Sequence, residues 1–511
     1  MATAAISSFN SPFPTQPLEN VETPKPHFHS LSNPLPLLSQ NPNQKLRITG
    51  PSRLYGHVPI SGSKNSALSI LAATLCCSGT CKLNNVPNVS DTRTMASILT
   101  SLGAQIHVSN SQFLVNTDGI HSLEPWSDSI RKIRGGFFVI GPLLARFGEA
   151  SVALPGGCDI GVRPVDLYIR GLRALGAVHL RFLALLFISW EVVVKLCGGQ
   201  DGLWKRVVGY MVKDVSLVFR DGKVQAHTAN GRGLVGGRFQ LDYPSVGATE
   251  TLMMAACMAD GVTVLSNVAQ EPEVIDLAHF LTDSGACIEG AGSNRLVIEG
   301  KCQLHGSECT ISPDRIEAGT FMLAAAITRS CISMSPVIPS HLTCLIDKLL
   351  TAGCKIRQCN HDTFEISAAS TDVEDLRAFD FKTSPFPGFP TDLQPQTMSL
   401  LTTCMGSSIV EECVFDKRMG HVKELIKLGA RIQLCGSAAL VLGRDRGSPL
   451  RGSHVVATDL RGGMSLVLAG LAAEGITEIS GAAYIDRGYE NLETKFQFLG
   501  ADVKRLVPLA C

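Results

Sequence analysis

The chain has 511 residues, which is long enough for two or more domains with a large buried core. Its 45 basic residues balance its 45 acidic ones, so no overall field would recruit nucleic acid or an anionic membrane, although local arginine clusters could still bind one anion. The 17 cysteines are an odd number with no CxxC pair and no metal-ligand spacing, which predicts free thiols in a reducing compartment, no metal site and no cofactor.

Residues 1–44 differ in composition from the rest of the chain. They are rich in Ser, Pro and Asn, contain only Glu19 and Glu22 as acidic residues, and lack an apolar run of signal-peptide length. The start "MATAAISS" with this Ser and Pro bias is typical of a plastid transit peptide, and the shortage of Arg argues against a mitochondrial one. We therefore expect a disordered transit peptide and a location in the plastid stroma, with a plain disordered tail as the alternative.

After residue 45 an internal repeat becomes visible. A helix-like stretch that ends in a glycine turn, followed by a strand-like segment, recurs six times. Glycine at this place is a good C-cap because it takes the left-handed conformation without a Cβ clash. The six turn glycines are Gly103, Gly176, Gly285, Gly353, Gly429 and Gly500.

A second element recurs in phase with these turns. Six runs of small and apolar residues are uniformly apolar around a helix, which predicts buried helices. The pattern favours an α/β fold of six units, each with strands and two helices, arranged as two domains of three units. The runs include "NSALSILAATLCC", "GGFFVIGPLLARFG", "TETLMMAACMADG", "GTFMLAAAITRS", "TMSLLTTCMG" and "MSLVLAGLAAEG".

The spacing of the repeat identifies an insertion. Successive turn glycines lie 68 to 76 residues apart, except Gly176 and Gly285, which are 109 apart. The excess falls on residues 181–219, which match no repeat element and would separate two strands of one hairpin. Their apolar run, near 182–196, is too short for a membrane span and carries Glu191. The segment is either an extra subdomain, or else non-coding sequence retained in the reading frame or an error in the gene model.

Polar residues occur where the buried helices begin. Lys64 and Asn65 open the first one, Arg134 precedes the second, and a helix start with a cation suits a phosphate or carboxylate. Taken singly, each such residue is more often a solvated surface charge. Their recurrence at equivalent positions of the repeat indicates anion binding, to which Arg is suited by its bidentate geometry. Further members of the set are Arg163, Asp166, Arg418, Arg461 and Arg487.

Nine segments together resemble the enolpyruvyl transferase family, in the form of the UDP-N-acetylglucosamine 1-carboxyvinyltransferases. They occur in family order from about residue 45 to residue 505. The tail and residues 181–219 are the parts that the resemblance leaves unexplained. The segments are "SGSKNSAL", "GPLLARFG", "LPGGCDIGVRPVDL", "PSVGAT", "EPEVIDLA", "PDRIEAGTF", "FPTDLQPQ", "ATDLRGGMSLVLAG" and "IDRGYENLE".

The resemblance implies a two-domain inside-out α/β barrel built from six βαβαββ-like repeats, three in each domain. It places domain one at residues 64–312, including the insertion, and domain two at residues 45–63 plus 313–511. The chain would therefore cross between the domains twice. Each crossing is a candidate hinge for closure over substrate.

The resemblance also implies a reaction, in which the enolpyruvyl group of phosphoenolpyruvate is transferred to the 3′-hydroxyl of UDP-N-acetylglucosamine and phosphate is released. Cys158 matches the general acid, which can also attack to form a covalent adduct, and Arg163 and its partner cations are expected to supply positive charge near this thiol. Asp392 matches the residue that contacts the 3′-hydroxyl. Without the resemblance, Cys158 would be taken as a small buried hydrophobe and Asp392 as a helix cap.

The remaining implied site residues divide by substrate. Five cations match positions near the phosphate and carboxylate of phosphoenolpyruvate: Lys64, Arg134, Arg163, Arg461 and Arg487. The resemblance implies that Lys64 and Arg487 are also catalytic. It implies the same of Asn65, which it places near the reacting groups. Tyr243 and Pro244 replace residue types that are common in the family. The implied nucleotide-sugar residues are Arg163, Pro164, Val165, Asp166, Leu167, Tyr243, Pro244, Ser245, Val246 and Val414, with Arg418 in the same cleft.

Two other functions compete with this one. The first is 5-enolpyruvylshikimate-3-phosphate synthase, which shares the fold, the donor and a plastid location, but its Asn-Ala-Gly-Thr signature is absent. The second is a non-catalytic descendant that binds a nucleotide sugar or a partner protein, an alternative that the insertion at 181–219 keeps open. The product of the implied reaction feeds peptidoglycan synthesis, which predicts a wall-related pathway.

Overall fold

A computed structural model of the chain describes residues 44–161, 163–183, 222–228, 233–300, 303–368, 375–444 and 449–506. Strands and helices alternate through these ranges, so the predicted mixed α/β class is confirmed. The predicted transit peptide, apart from residue 44, lies outside the described residues, as does most of the predicted insertion. None of the helices in the described ranges is long and apolar enough to cross a bilayer.

The strands are short, which suits a fold of many small sheets. In chain order they are β1 (Lys45–Gly50), β2 (Tyr55–Pro59), β3 (Cys77–Ser78), β4 (Thr80–Asn84), β5 (Gln105–Ser109), β6 (Gln112–Asn116), β7 (Glu149–Ala153), β8 (Ala177–Leu183), β9 (Lys223–Thr228), β10 (Arg238–Gln240), β11 (Val262–Ser266), β12 (Cys287–Glu289), β13 (Arg295–Glu299), β14 (Leu304–His305), β15 (Glu308–Thr310), β16 (Cys331–Ser335), β17 (Lys355–Gln358), β18 (Phe364–Ser367), β19 (Phe381–Lys382), β20 (Ser407–Glu411), β21 (Arg431–Cys435), β22 (Ala438–Leu442), β23 (His454–Val456), β24 (Gly475–Ser480) and β25 (Asp502–Leu506).

Five of the sheets follow one pairing rule. Each has four strands, of which the first pair is parallel and the next two pairs are antiparallel. A sixth sheet, in the order β7–β9–β8, has only antiparallel pairs among the described residues. The repeat seen in the sequence is therefore a repeat of sheet topology. The five four-stranded orders are β15–β4–β6–β5, β10–β11–β13–β12, β2–β16–β18–β17, β19–β20–β22–β21 and β23–β24–β1–β25.

The helices alternate between buried and half-exposed ones. Six of them, α1, α4, α6, α8, α10 and α12, have nearly every residue buried, as their uniformly apolar sequences predict. In chain order the helices are α1 (Lys64–Ala73), α2 (Ser90–Leu102), α3 (Ser127–Lys132), α4 (Ile140–Phe147), α5 (Asp166–Ala174), α6 (Val246–Ala256), α7 (Pro272–Asp283), α8 (Arg315–Ile327), α9 (Thr343–Ala352), α10 (Gln394–Leu401), α11 (Val422–Lys427), α12 (Leu460–Ala472), α13 (Ala482–Ile485) and α14 (Leu492–Phe498).

The six turn glycines behave as the sequence predicts. All six have a positive φ, from +83° at Gly176 to +111° at Gly103. At Gly103 a Cβ would also lie 2.3 Å from Nδ1 of His121, so a side chain is excluded there by contact as well as by conformation. Glycine at these turns lets each half-exposed helix end and the next strand begin within a few residues.

Two separate hydrophobic cores hold the structure together. One is built from buried residues between positions 67 and 311, and the other from positions 46–60 and 316–503. The chain passes between them at two adjacent places, where the Ser63 amide donates to the Ser312 carbonyl at 2.7 Å and the Asp314 amide donates to the Ser61 carbonyl at 2.9 Å. The two crossings thus lie side by side, which is the arrangement that a hinge needs. The exact domain boundaries stay a prediction.

Strands β8 and β9 flank the predicted insertion. They pair antiparallel, from Ala177 opposite Thr228 to Leu183 opposite Lys223. Strand β8 thus continues three residues into the segment 181–219 before the described part of the chain stops. The two strands on either side of the segment are neighbours in one sheet.

Candidate active site

Cys158 lies on the loop that follows β7. The two glycines before it are required for different reasons. A Cβ at Gly156 would lie 1.8 Å from the carbonyl oxygen of Arg131, and Gly157 has a φ of +105°, which a side chain disfavours. The loop belongs to the part of the chain that builds the first core, yet the Cys158 side chain packs against the second core. Cys158 therefore lies where the two halves of the molecule meet.

The sulfur of Cys158 has two hydrogen-bond donors. Nη1 of Arg487 donates at 2.9 Å, and the backbone amide of Leu460, at the start of α12, donates at 3.5 Å. Arg163, which the sequence predicts with its partners to supply positive charge here, donates from its Nη2 to the Cys158 carbonyl oxygen at 2.6 Å and also interacts electrostatically with the Cys158 side chain. Because the sulfur accepts these bonds, its own S–H remains available for another group.

Asp91 joins the two cations predicted nearest the reacting groups. It is 2% exposed, and its carboxylate accepts from Nε of Arg487 at 2.9 Å and lies 3.6 Å from Nζ of Lys64. Burial alone lowers the pKa of Arg487, but Asp91 and Cys158 outweigh it and raise that pKa. Sequence reasoning missed Asp91, because an acidic residue in the first turn of a helix such as α2 is ordinary.

Asp392 is held between two buried arginines. Its Oδ1 accepts from Nη2 of Arg418 at 2.5 Å, and its Oδ2 accepts from Nη2 of Arg461 at 2.9 Å. Burial alone raises the pKa of Asp392, but Arg461, Arg418 and Lys64 together outweigh it and hold the pKa well below its ordinary value. Asp392 caps no helix, so the alternative that it is an N-cap is wrong.

Arg461 is hydrogen-bonded to a buried hydroxyl group, that of Tyr489. The Tyr489 hydroxyl accepts from Nη1 of Arg461 at 3.3 Å, is 2.9 Å from Oγ1 of Thr320 and accepts from Nε2 of Gln396 at 3.2 Å. The Arg461 guanidinium also lies 5.6 Å from the centre of the Tyr489 ring. Sequence reasoning missed Tyr489 as well, although the segment "IDRGYE" contains it; the available signal was a tyrosine two residues after Arg487.

Lys64 and Asn65 begin α1, as predicted. Ser63 caps the helix, and the Lys64 amide donates to Oδ2 of Asp314 at 3.3 Å. Nδ2 of Asn65 donates to Oε1 of Glu273 at 3.0 Å, while Arg315 contacts the other oxygen of Glu273 at 3.3 Å. The side chains of Lys64 and Asn65 are therefore held by Asp91 and Glu273 of the first half, while Asp314 of the second half holds the backbone of Lys64.

The side chain of Arg134 lies against the segment that contains Arg163 and Pro164. Nη2 of Arg134 donates to the carbonyl oxygens of Arg163 and Pro164. Burial, and then the positive charge of Arg134, lower the pKa of Arg163. The Arg163 guanidinium is 5.8 Å from the ring centre of Phe415, and the Arg418 guanidinium is the same distance from that ring. Phe415, which directly follows Val414, thus links the two halves of the cleft.

The predicted nucleotide-sugar residues occupy two neighbouring helix starts and one loop. Asp166 and Leu167 begin α5, with Pro164 and Val165 before them. Ser245 caps α6 and Val246 begins it, while Tyr243 and Pro244 precede the cap. Val414 lies in a loop after β20, where its amide donates to Oε1 of Glu412 at 2.9 Å. The structure thus places every predicted residue, and their roles toward substrate stay predictions.

The chain is 44% identical over 480 residues to the UDP-N-acetylglucosamine 1-carboxyvinyltransferase of Gloeobacter violaceus, which covers 94% of this chain and 94% of that protein. It is 42% identical over 474 residues to the enzyme of the same name from Synechocystis sp., covering 92% of this chain and 97% of that one. The chain belongs to the UDP-N-acetylglucosamine 1-carboxyvinyltransferase family. The predicted family is therefore confirmed.

The wider enolpyruvyl transferase family is matched too. A family model described as EPSP synthase (3-phosphoshikimate 1-carboxyvinyltransferase) matches residues 48–182 and 209–496. The unmatched residues 183–208 fall inside the predicted insertion. Sequence identity favours the amino-sugar family over this described activity, because the relatives above are 42% and 44% identical to the chain.

Solved structures agree on the fold. The enolpyruvyl transferase NikO from Streptomyces tendae superposes with a TM-score of 0.74 at 24% identity, covering 91% of this chain and 99% of that one. An EPSP synthase from Acinetobacter baumannii gives a TM-score of 0.63 at 16% identity, covering 91% of this chain and 100% of that one. The α/β enolpyruvyl transferase fold is therefore retained across wide sequence divergence.

Proposed function

We propose that the protein transfers the enolpyruvyl group of phosphoenolpyruvate to the 3′-hydroxyl of UDP-N-acetylglucosamine and releases phosphate. The observation that carries this proposal is that Cys158, a proton donor, and Asp392, a proton acceptor, contact adjacent residues at the start of α12: the Leu460 amide donates to the Cys158 sulfur and the Arg461 side chain donates to Asp392. The family membership supports the same reaction, since the relatives carry its name.

Addition of an alcohol across an enol needs three things. The methylene carbon must be protonated, the adjacent carbon must tolerate developing positive charge, and the hydroxyl must lose its proton. In our proposal the Cys158 thiol donates the proton to the methylene carbon, while the hydroxyl oxygen forms a bond to the adjacent carbon and passes its proton to Asp392. When the bond from that carbon to the phosphate oxygen breaks, a proton of the new methyl group returns to the Cys158 thiolate and the departing phosphate takes the proton from Asp392, so the enol ether and phosphate result.

Asp392 is the group that faces the hydroxyl in this proposal. Because Arg461, Arg418 and Lys64 hold its pKa low, it is ionised at any assay pH and can accept a hydrogen bond. As long as both oxygens are engaged by arginines it is a weak base. An anionic substrate that draws Arg461 away from Oδ2 would strengthen it, which couples binding of phosphoenolpyruvate to activation of the hydroxyl.

The donor substrate carries a phosphate and a carboxylate, and the cleft carries matching cations. We assign these anionic groups to Lys64, Arg134, Arg163, Arg461 and Arg487. Two of them, Lys64 and Arg487, are tied to Asp91, so they are positioned before any substrate arrives. Asn65, fixed by Glu273, lies at the start of α1 beside Lys64 and can contact the reacting groups.

The finer features of the fold and location belong to the same proposal. We propose that the six sheet-and-helix units form a two-domain inside-out α/β barrel with the site in the cleft, as the pairing rule and the two cores support. Residues 1–44 are proposed to be a plastid transit peptide, and the product to serve peptidoglycan precursor synthesis there. No nucleic-acid or membrane partner is part of this proposal.

The test is phosphate release from phosphoenolpyruvate by the purified chain without residues 1–44. Release with UDP-N-acetylglucosamine and none with shikimate 3-phosphate supports the proposal. Release with shikimate 3-phosphate alone would establish the second activity. Binding of UDP-N-acetylglucosamine without any release, both in the full chain and after removal of residues 184–219, would establish the non-catalytic alternative.

A further inference from the structure

The two nucleotide-sugar segments are brought together by a close helix crossing. A Cβ at Gly171 of α5 would lie 2.3 Å from Cδ1 of Leu252 in α6, and a Cβ at Gly247 of α6 would lie 2.1 Å from the hydroxyl of Tyr168 in α5. Glycine at both places lets the helices pack at short range, which sets the first turns of α5 and α6 next to each other.

Packing fixes the two helices but not the loop that leads into α6. This loop begins at Asp242, runs through the half-exposed Tyr243 and reaches the cap Ser245. The side chain of Asp242 is 57% exposed, and both it and Tyr243 lie outside the core. The buried Leu241, which precedes this loop, is bonded to Ser266 and Asn267, so a contact between Asp242 and α5 has to come from a side chain at the surface.

Arg170 provides that contact. Its Nη1 donates to Oδ2 of Asp242 at 2.6 Å and its Nη2 donates to Oδ1 at 3.0 Å, which is a bidentate arrangement. The same Nη1 lies 3.7 Å from Oδ2 of Asp166, the first residue of α5. The guanidinium also lies 5.9 Å from the ring centre of Phe239, which packs against the first core.

The charges explain why a cation is needed here. Asp166 and Asp242 both face Arg170, so without its charge two carboxylates would lie near each other with no cation between them. Oδ1 of Asp166 is buried with no hydrogen-bond partner in the described residues, whereas Oδ2 is the oxygen that faces Arg170. Arg170 thus fixes the orientation of this carboxylate as well as the position of the loop.

We propose that Arg170 is a positioning residue for the nucleotide-sugar pocket, which it shapes by tying the loop at Asp242 to the first turn of α5. Arg170 itself touches no reacting group. The inference rests on the proposed function for the identity of the ligand, UDP-N-acetylglucosamine. Since the Arg170 side chain is 45% exposed, its ion pairs contribute little to folding, and its loss should act on the pocket.

The test compares Arg170→Ala with Arg173→Ala, an exposed arginine on the same helix for which the structure gives no ion pair. For Arg170→Ala we expect the KM for UDP-N-acetylglucosamine to rise roughly tenfold while kcat and the KM for phosphoenolpyruvate stay within about twofold, because uniform binding of one substrate is lost. Arg170→Lys should give a smaller rise, since an ammonium cannot hold both oxygens of Asp242 in plane. Arg173→Ala should match the unmodified protein.

Two further variants test whether Arg170 acts through its contact with Asp242. Asp242→Asn should reproduce the rise in KM, and the double variant with Arg170→Ala should be no worse than either single variant, because the two residues act through one contact. The proposal is overturned if Arg170→Ala has the same KM for UDP-N-acetylglucosamine as Arg173→Ala, or if both KM values and kcat change together with a lower melting temperature.

Calorimetric titration with UDP-N-acetylglucosamine alone distinguishes this inference from the proposed reaction. If the unmodified protein releases no phosphate but Arg170→Ala binds the nucleotide sugar more weakly than Arg173→Ala, the reaction is wrong and the positioning role stands. If phosphate is released and the two variants bind equally well, the positioning role is wrong. If the unmodified protein binds no nucleotide sugar, both are wrong.

Discussion

The guanidinium of Arg487 donates a hydrogen bond of 2.9 Å to the sulfur of Cys158, although 329 residues separate them in the chain. The same guanidinium contacts both oxygens of Asp91. One arginine from the second half of the molecule therefore joins the thiol and a buried carboxylate of the first half. Each of these two partners of Arg487, Cys158 and Asp91, can be changed separately.

Asp91→Asn should lower kcat/KM for phosphoenolpyruvate about 100-fold, because Arg487 and Lys64 lose the charge that orients them and Arg487 stays buried without it. The effect is measured by steady-state phosphate release, with thermal unfolding recorded on the same samples. The control is Asp128→Asn, at an aspartate whose side chain is 92% exposed. It should change neither kcat/KM for phosphoenolpyruvate nor the melting temperature. Equal kcat/KM in the two variants would refute an orienting role for Asp91.

Tyr489→Phe should lower kcat and stability together. The ring can still pack against Arg461, but the hydroxyl that Arg461, Thr320 and Gln396 share is gone, and unsatisfied buried donors cost about 1–3 kcal/mol each. Thermal unfolding and phosphate release measure the two effects. Tyr55→Phe, at a tyrosine that is 68% exposed, is the control and should change neither kcat nor the melting temperature. A Tyr489→Phe protein with unaltered kcat would mean that the function of Arg461 does not depend on its hydrogen bond to the Tyr489 hydroxyl.

Fosfomycin, which mimics phosphoenolpyruvate, should alkylate Cys158. The Cys158 sulfur lies beside the cations proposed to bind that substrate, whereas other accessible thiols, such as those of Cys287 and Cys413, have no arginine donor of this kind among the described contacts. Peptide mapping by mass spectrometry identifies the labelled residue. Cys158→Asp should resist the label and keep some activity, because a carboxylic acid can donate a proton but is a poorer nucleophile. A label on another cysteine would overturn the assignment.

Glu250→Gln should make the protein more stable above neutral pH. Glu250 is 1% exposed, and its Oε1 has no hydrogen-bond partner among the described residues; burial and then the charge of Glu273 raise its pKa well above the ordinary value. A carboxyl that is neutral when folded and charged when unfolded costs stability as pH rises from its unfolded pKa, about 4.3, toward the folded one, by up to roughly 1.4 kcal/mol per pH unit.

Thermal unfolding of the Glu250 variant and the unmodified protein between pH 5 and pH 8 measures this difference. The gap in melting temperature should be smallest at pH 5 and widen in favour of the variant as pH rises. Glu289→Gln, at an exposed glutamate in β12, should show no such trend. A gap that stays constant with pH would mean that Glu250 does not change its protonation on folding.

Much of the fold could be predicted because it depends on local patterns. The turn glycines need a left-handed backbone wherever the chain folds, and the uniformly apolar helices must be buried, so positions such as Gly103 and Gly429 and helices such as α8 and α12 were identifiable in advance. Sheet order was not, because the partner of a strand is set by long-range contacts: β1 pairs with β24 and β25, at the opposite end of the chain.

The sequence by itself determined the family, the repeats and the polar residues that form the cleft, because these are properties of residue types at fixed spacings. Tertiary structure decided which of those residues touch. It assigned the hydrogen bond to the Cys158 sulfur to Arg487 and the one to the Cys158 carbonyl to Arg163, and it showed that Asp91 and Tyr489 hold the arginines in place. A charge on a helix end can face many partners, and only the packing of two cores against each other selects one of them.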